Sequence, residues 1–165
     1  MACCGDSITA NYGYPEMLAG MVGKTTVNLG TSGATTGNGL SAVRDALANY
    51  QPGYVLILYG VNDVNSHGDL DAAAANIGAM IRQVRANGAV AIVGTVMPVY
   101  GDYAANQDRV DSLNRRIRNV ASQEGASVAA LDSAFAGKPG LIGGDGLHPT
   151  AEGSETIART FAGKL

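Results

Sequence analysis

Cysteine is scarce in this chain: Cys3 and Cys4 are the only two, and they are neighbours. Adjacent Cα atoms lie about 3.8 Å apart, short of the roughly 4.4–6.8 Å that a disulfide spans. Both are expected as reduced, buried thiols in a first strand, with no disulfide framework and no zinc-type cysteine spacing. Long apolar runs are also missing, so no membrane span and no signal peptide is read. The compartment is then cytoplasmic, or periplasmic or secreted if a leader was removed. Charged residues make up 15% of the chain, the net charge is −3, and the basic residues are scattered. The densest basic group, Arg115, Arg116 and Arg118, reads as the solvated face of a helix, which argues against a nucleic-acid partner. Histidine is limited to His67 and His148, so candidates for a base working near neutral pH are few. His67-Gly68-Asp69-Leu70-Asp71 resembles scattered metal ligands, but a loop histidine followed by a helix cap fits it better, and no metal is expected.

What is present is a chain of 165 residues, 46% of them hydrophobic, enough for one domain with a sizeable core. Apolar patterning alternates between strand and helix. Strands are read at Met1–Cys4, Thr25–Leu29, Tyr54–Tyr59, Ala89–Val93 and Ser127–Leu131. Helices are read at Tyr14–Met21, Leu40–Tyr50, Leu70–Ala86 and Ala104–Glu124, with a last one holding Ile157 and Phe161. Asp69 is the expected N-cap of the third of these, and Gly125 the stop of the fourth. No repeat, linker or low-complexity segment interrupts the pattern. Strand–helix alternation predicts a parallel sheet covered on both faces.

Polar motifs fall just past the carboxyl ends of four strands, the rim where such sheets bind ligands. Gly5-Asp6-Ser7 puts a hydroxyl after the first strand, where a helical turn can begin and backbone N–H groups stand free. Gly30 follows the second strand and Asn62 the third. Asp145-Gly146-Leu147-His148 lies in the long loop after the fifth. An aspartate three residues before a histidine can receive its Nδ1–H and leave Nε2 to take a proton from a serine. Ser7, His148 and Asp145 thus supply nucleophile, base and orienter.

With these segments in place the chain resembles the SGNH or GDSL hydrolase family over nearly its full length. Gly5-Asp6-Ser7-Ile8-Thr9 is similar to the family's first block, whose serine is the nucleophile. Asn28-Leu29-Gly30 is similar to the second, which implies Gly30 as an oxyanion donor through its N–H. Gly60-Val61-Asn62-Asp63 is similar to the third, which implies the Asn62 amide as another donor, beside the Ser7 N–H. Asp145 to Pro149 is similar to the last block and implies Asp145 and His148 as the rest of a triad. The resemblance implies a flavodoxin-like three-layer α/β/α sandwich with a five-stranded sheet. It implies a serine esterase acting without cofactor on a small-molecule ester, with thioesterase, lysophospholipase and sugar O-acetylesterase activities as variants on the same machinery. One departure is that only four residues precede Gly5, where the family has a longer first strand. A non-catalytic small-molecule binding module is the competing class.

Other residues are weighed on their own. Asp6 is expected to tie down the turn after the first strand, and Asp63 to hold its own loop. His67, close after Asn62, is a candidate for the pocket mouth. Tyr12, Tyr14, Tyr100 and Tyr103 fall near the active rim, and Tyr100-Gly101-Asp102-Tyr103 is the expected substrate loop. Asp132 rivals Asp145 as orienter but lies farther from His148 in sequence. Gly23-Lys24-Thr25 fails as a phosphate loop: Leu18 stands where that motif needs glycine, and a strand follows where it needs a helix.

Overall fold

In the computed structural model, which describes residues 1–165, the chain opens with β1 (Ala2–Gly5), buried along its length. Two helices follow, α1 (Ser7–Asn11) and α2 (Tyr14–Val22), then β2 (Val27–Gly30) and α3 (Thr36–Tyr50). The rest are β3 (Tyr54–Leu58), α4 (Val61–Asn65), α5 (Leu70–Ala86), β4 (Val90–Gly94), α6 (Gln107–Glu124), β5 (Ser127–Ala129), α7 (Leu131–Phe135) and α8 (Ala151–Ala162). All five strands run parallel in one sheet, in the order β2-β1-β3-β4-β5. Helix α5 packs between α3 and α6, while α8 packs against α2 and α7. The result is the three-layer α/β/α sandwich expected from the alternation. No helix is long and apolar enough to cross a membrane.

The register is what builds a working edge. Gly5 pairs with Gly30 on one side and Leu58 on the other. The carboxyl ends of β1, β2 and β3 therefore stand level, and the segments bearing Ser7, Thr31 and Asn62 leave the sheet on the same rim. Val55, Leu56, Ile57 and Ile92 are wholly buried, as strands covered on both faces require. Cys3 and Cys4 are free and buried, and burial pushes both thiols up to about 12, so neither offers a thiolate nucleophile.

Several boundaries differ from the sequence reading. β2 begins at Val27 rather than Thr25 and takes in Gly30. α3 starts at Thr36, four residues before the expected Leu40. Gly37, Asn38 and Gly39 are weak helix formers, but tertiary contacts override them. Asn38 Oδ1 accepts the Thr35 N–H at 2.9 Å, and Asp63 Oδ2 accepts the Thr36 N–H at 2.9 Å. Gly39 is a packing requirement, since a Cβ there would sit 2.6 Å from Met80 Sδ and 2.9 Å from the Tyr59 ring. The segment read as the start of α6 is a 3-10 turn, Gly101–Asn106. Helices α4 and α7, of five residues each, are too short to show a helical period. The N-cap at Asp69 is as expected: its side chain accepts from the N–H groups of Asp71 and Ala72 at 2.8 and 3.2 Å.

Candidate active site

Ser7 is the first residue of α1, and the two residues before it set its position. Gly5 cannot carry a side chain: a Cβ would lie 1.9 Å from Thr9 Oγ1 and 2.7 Å from the Leu58 carbonyl oxygen. Asp6 caps the helix, its Oδ1 accepting the Ile8 N–H at 2.9 Å. The Ser7 N–H, at the first helical position, has no acceptor within its own helix. Across the rim, Ser7 Oγ stands 2.9 Å from His148 Nε2. His148 Nδ1 lies 2.7 Å from Asp145 Oδ2.

The Asp145–His148 loop holds itself in shape. Asp145 Oδ1 accepts the N–H groups of Leu147 and His148, each at 3.0 Å. The Leu147 N–H bond, with the His148 contacts, holds the Asp145 carboxyl down at about 2. It therefore stays charged across any ordinary assay pH. Gly146 adopts φ +78°, and its carbonyl accepts the Tyr100 N–H at 2.8 Å. A Cβ at Gly146 would fall 2.3 Å from the Tyr100 carbonyl oxygen. Tyr100 thus clamps this loop through its backbone, a contact that no sequence pattern announced. Asp132 takes bonds from Thr95 Oγ1 and Arg118 Nη2, at 2.9 and 2.7 Å. Its carboxylate is committed there, away from His148.

The second and third segments bring one correction. The Gly30 N–H already donates to Asn28 Oδ1 at 3.1 Å, and the glycine's open side faces the backbone of Thr9 and Ala10. It is not free to meet an oxyanion. The glycine with an uncommitted N–H is Gly33, at φ +76° with nothing crowding it. Its neighbours are tied on both sides. Ser32 Oγ accepts from Asn11 Nδ2, at the end of the helix that Ser7 begins, and the Ala34 carbonyl accepts from Asn62 Nδ2, each at 2.9 Å. An amide carries two N–H groups, so Asn62 keeps one unspent. Asp63 does more than hold its own loop. Its carboxylate takes both the N–H and the Oγ1–H of Thr36, fastening the start of α3 to α4.

His67 is exposed, in a left-handed turn at φ +56°. Tyr14 is wholly buried, with its hydroxyl 3.1 Å from Thr9 Oγ1 and its ring stacked on Phe161. Tyr12 lies flat against His148, ring centroids 4.9 Å apart and planes 12° from parallel. Neither Ser7 nor His148 lines any of the five cavities, and both are half-buried at the rim. A cavity of about 430 Å³ opens beside the Thr31–Ala34 loop, with Asn38, Asp45 and Tyr59 among its walls.

Asp6 gives a pH signature. Burial pushes its carboxyl up to about 7, despite the opposing Ile8 N–H bond. In the unfolded chain an aspartate titrates near about 4. Between those values the folded state holds a proton that the unfolded state has released. Stability therefore falls as pH rises from about 4 to about 7, by an amount on the order of a few kcal/mol. Asp6→Asn keeps the capping oxygen and should flatten that slope when urea midpoints are compared at pH 4.5 and 7.5. Parallel curves for the two proteins would show that the folded carboxyl is ionised.

A family model described as the GDSL-like lipase/acylhydrolase family matches residues 3–156. No curated protein matches this chain in sequence. Solved structures superpose on nearly all of it. TesA is 23% identical with a TM-score of 0.87, over 99% of this chain and 96% of that one. A GDSL-like lipase from Bacteroides thetaiotaomicron VPI-5482 is 24% identical with a TM-score of 0.83, over 97% and 84%. A catalytic mutant of an acetylxylan esterase from Geobacillus stearothermophilus is 20% identical with a TM-score of 0.85, over 99% and 92%. At these identities the likeness bears on the fold.

Proposed function

This chain belongs to the GDSL-like lipase/acylhydrolase family, and from that premise we propose that it is a serine esterase hydrolysing small carboxylic esters through an acyl-serine intermediate. The observation that carries the reading is a single imidazole held between two partners, Ser7 Oγ at 2.9 Å and Asp145 Oδ2 at 2.7 Å. In this mechanism Asp145 keeps the proton on Nδ1. Nε2 takes the Ser7 proton as Oγ adds to the ester carbonyl. The imidazolium returns that proton to the departing alcohol oxygen as its bond to the acyl carbon breaks. Water then repeats the sequence on the acyl-serine and releases the acid. The tetrahedral oxyanion is met by the Ser7 N–H, the unspent Asn62 N–H and the Gly33 N–H, which takes the role first read for Gly30. Such donors act where charge develops and need no reorganisation.

Short acyl groups need no deep acyl pocket, and none of the cavities is lined by Ser7 or His148, which supports small acyl groups over long chains. A fluorophosphonate probe tests the reaction class. The expected result is one adduct, located on Ser7. A well-folded protein that takes no label would favour a non-catalytic binding module. Nitrophenyl esters of rising chain length, run beside acetylated sugars and acyl-thioesters, then order the substrates. The highest kcat/KM is expected at two to four carbons of acyl chain.

A further inference from the structure

We propose that Tyr12 is a positioning residue for the histidine base: its ring, laid flat on the His148 imidazole, keeps Nε2 aimed at the Ser7 oxygen. This rests on the esterase reading above. The two hydrogen bonds to the imidazole leave from nearly opposite points of the ring, Nε2 toward Ser7 and Nδ1 toward Asp145. Two such ties still permit the ring to rock about the line that joins them. A flat neighbour against one face removes that freedom. Tyr12 provides it, with centroids 4.9 Å apart and planes 12° from parallel, within the range where offset aromatic pairs attract.

The stack matters most in the second half of the cycle. Once Ser7 is acylated its oxygen has no proton to share, and the Nε2 tie is gone. Asp145 alone then orients the ring, and its side chain is half exposed to competing water. Nε2 must nonetheless take a proton from water as the water oxygen adds to the acyl carbon. It then delivers that proton to Ser7 Oγ as the acyl–oxygen bond breaks. Tyr12 is the contact that persists through this interval.

The chain around Tyr12 is fastened on both sides, which fixes the backbone that carries the ring. Asn11 donates to Ser32 Oγ at 2.9 Å. Gly13, at φ +72°, turns the backbone into α2, where Tyr14 is wholly buried. Ser7 and Tyr12 are the first helical residue and the C-cap of one five-residue helix, so nucleophile and ring are placed by the same element. The Tyr12 hydroxyl makes no hydrogen bond to the protein. The flat ring, rather than the phenol oxygen, is the working part.

The test compares Tyr12→Leu and Tyr12→Gln, which remove the flat face, with Tyr12→Phe, which keeps it. Making both disruptive variants prevents one poorly folding protein from deciding the outcome. With nitrophenyl acetate, Leu and Gln should lower kcat about tenfold with KM within twofold, and should accumulate more acyl-enzyme in the burst. Phe should stay within twofold of wild type throughout. By NMR, the His148 ring protons should move downfield in Leu and Gln, where the shielding ring is gone, and stay in place in Phe. Unchanged kcat in both disruptive variants overturns the proposal. So does a rise in KM at constant kcat, which would make Tyr12 a wall of the substrate site. So does a Phe variant as impaired as Leu. If wild type hydrolyses no ester, the esterase reading falls by itself, and the ring-proton shifts still decide whether Tyr12 holds the imidazole.

Discussion

Ser7→Ala should reduce ester turnover to the level left by the oxyanion donors and binding alone, a loss on the order of 10⁵-fold or more in kcat. The size follows from what the hydroxyl does. Ser7 Oγ is the only hydroxyl bonded to the imidazole, at 2.9 Å from Nε2. Without it His148 has no nucleophile to activate, and water attacking directly must find its own place. The fold should hardly notice. The position is the first residue of α1, whose cap is Asp6 rather than Ser7, and alanine is a good helix former. Thermal unfolding within about 2 °C of wild type, together with lost turnover, is the expected pair of results. Retained esterase activity in a folded Ser7→Ala protein would remove Ser7 from the mechanism.

The second large effect is expected at Asn62. Replacing it with alanine should lower kcat by about 10²–10³-fold with KM nearly constant, since an oxyanion donor acts on the transition state and barely on the ester. Asn62 also ties α4 to the Thr31–Ala34 loop through its bond to the Ala34 carbonyl. Losing that bond should cost about 1 kcal/mol of stability, visible in a denaturation curve and separable from the rate. A boronic acid, which forms a tetrahedral adduct on serine, should bind wild type far more tightly than Asn62→Ala. A variant with normal kcat and raised KM would make Asn62 a ground-state contact and leave the oxyanion to Ser7 and Gly33.

Much of this site could be read from the chain because parallel sheets place their working groups at strand ends. Apolar runs followed by Gly-Asp-Ser, by glycine and by Gly-Val-Asn-Asp announce such ends directly. The choice between Gly30 and Gly33 could not be read the same way. Gly30 ends β2 and Gly33 comes three residues later, and only the fold reveals that Asn28 has claimed the first N–H. Asp63 has the structural role expected of it, but its partner Thr36 lies 27 residues back in the sequence, beyond any local pattern. Tyr12 was visible as a tyrosine near the rim, but its stacking depends on how far α1 turns before Gly13 redirects it. The first turn of α3 is hidden from the sequence by its two glycines, one of them demanded by the nearness of Met80 and Tyr59.

The Ser7–His148 contact spans 141 positions of the chain, and Tyr14 against Phe161 seals α2 to α8 in the same region. Closing so long a loop is entropically expensive and tends to come late in folding. During refolding, helix content should return first and catalysis only when α8 has docked. Recovery of turnover is then a stopwatch for the final closure, and a chain whose tail has not docked holds Ser7 without its imidazole partner.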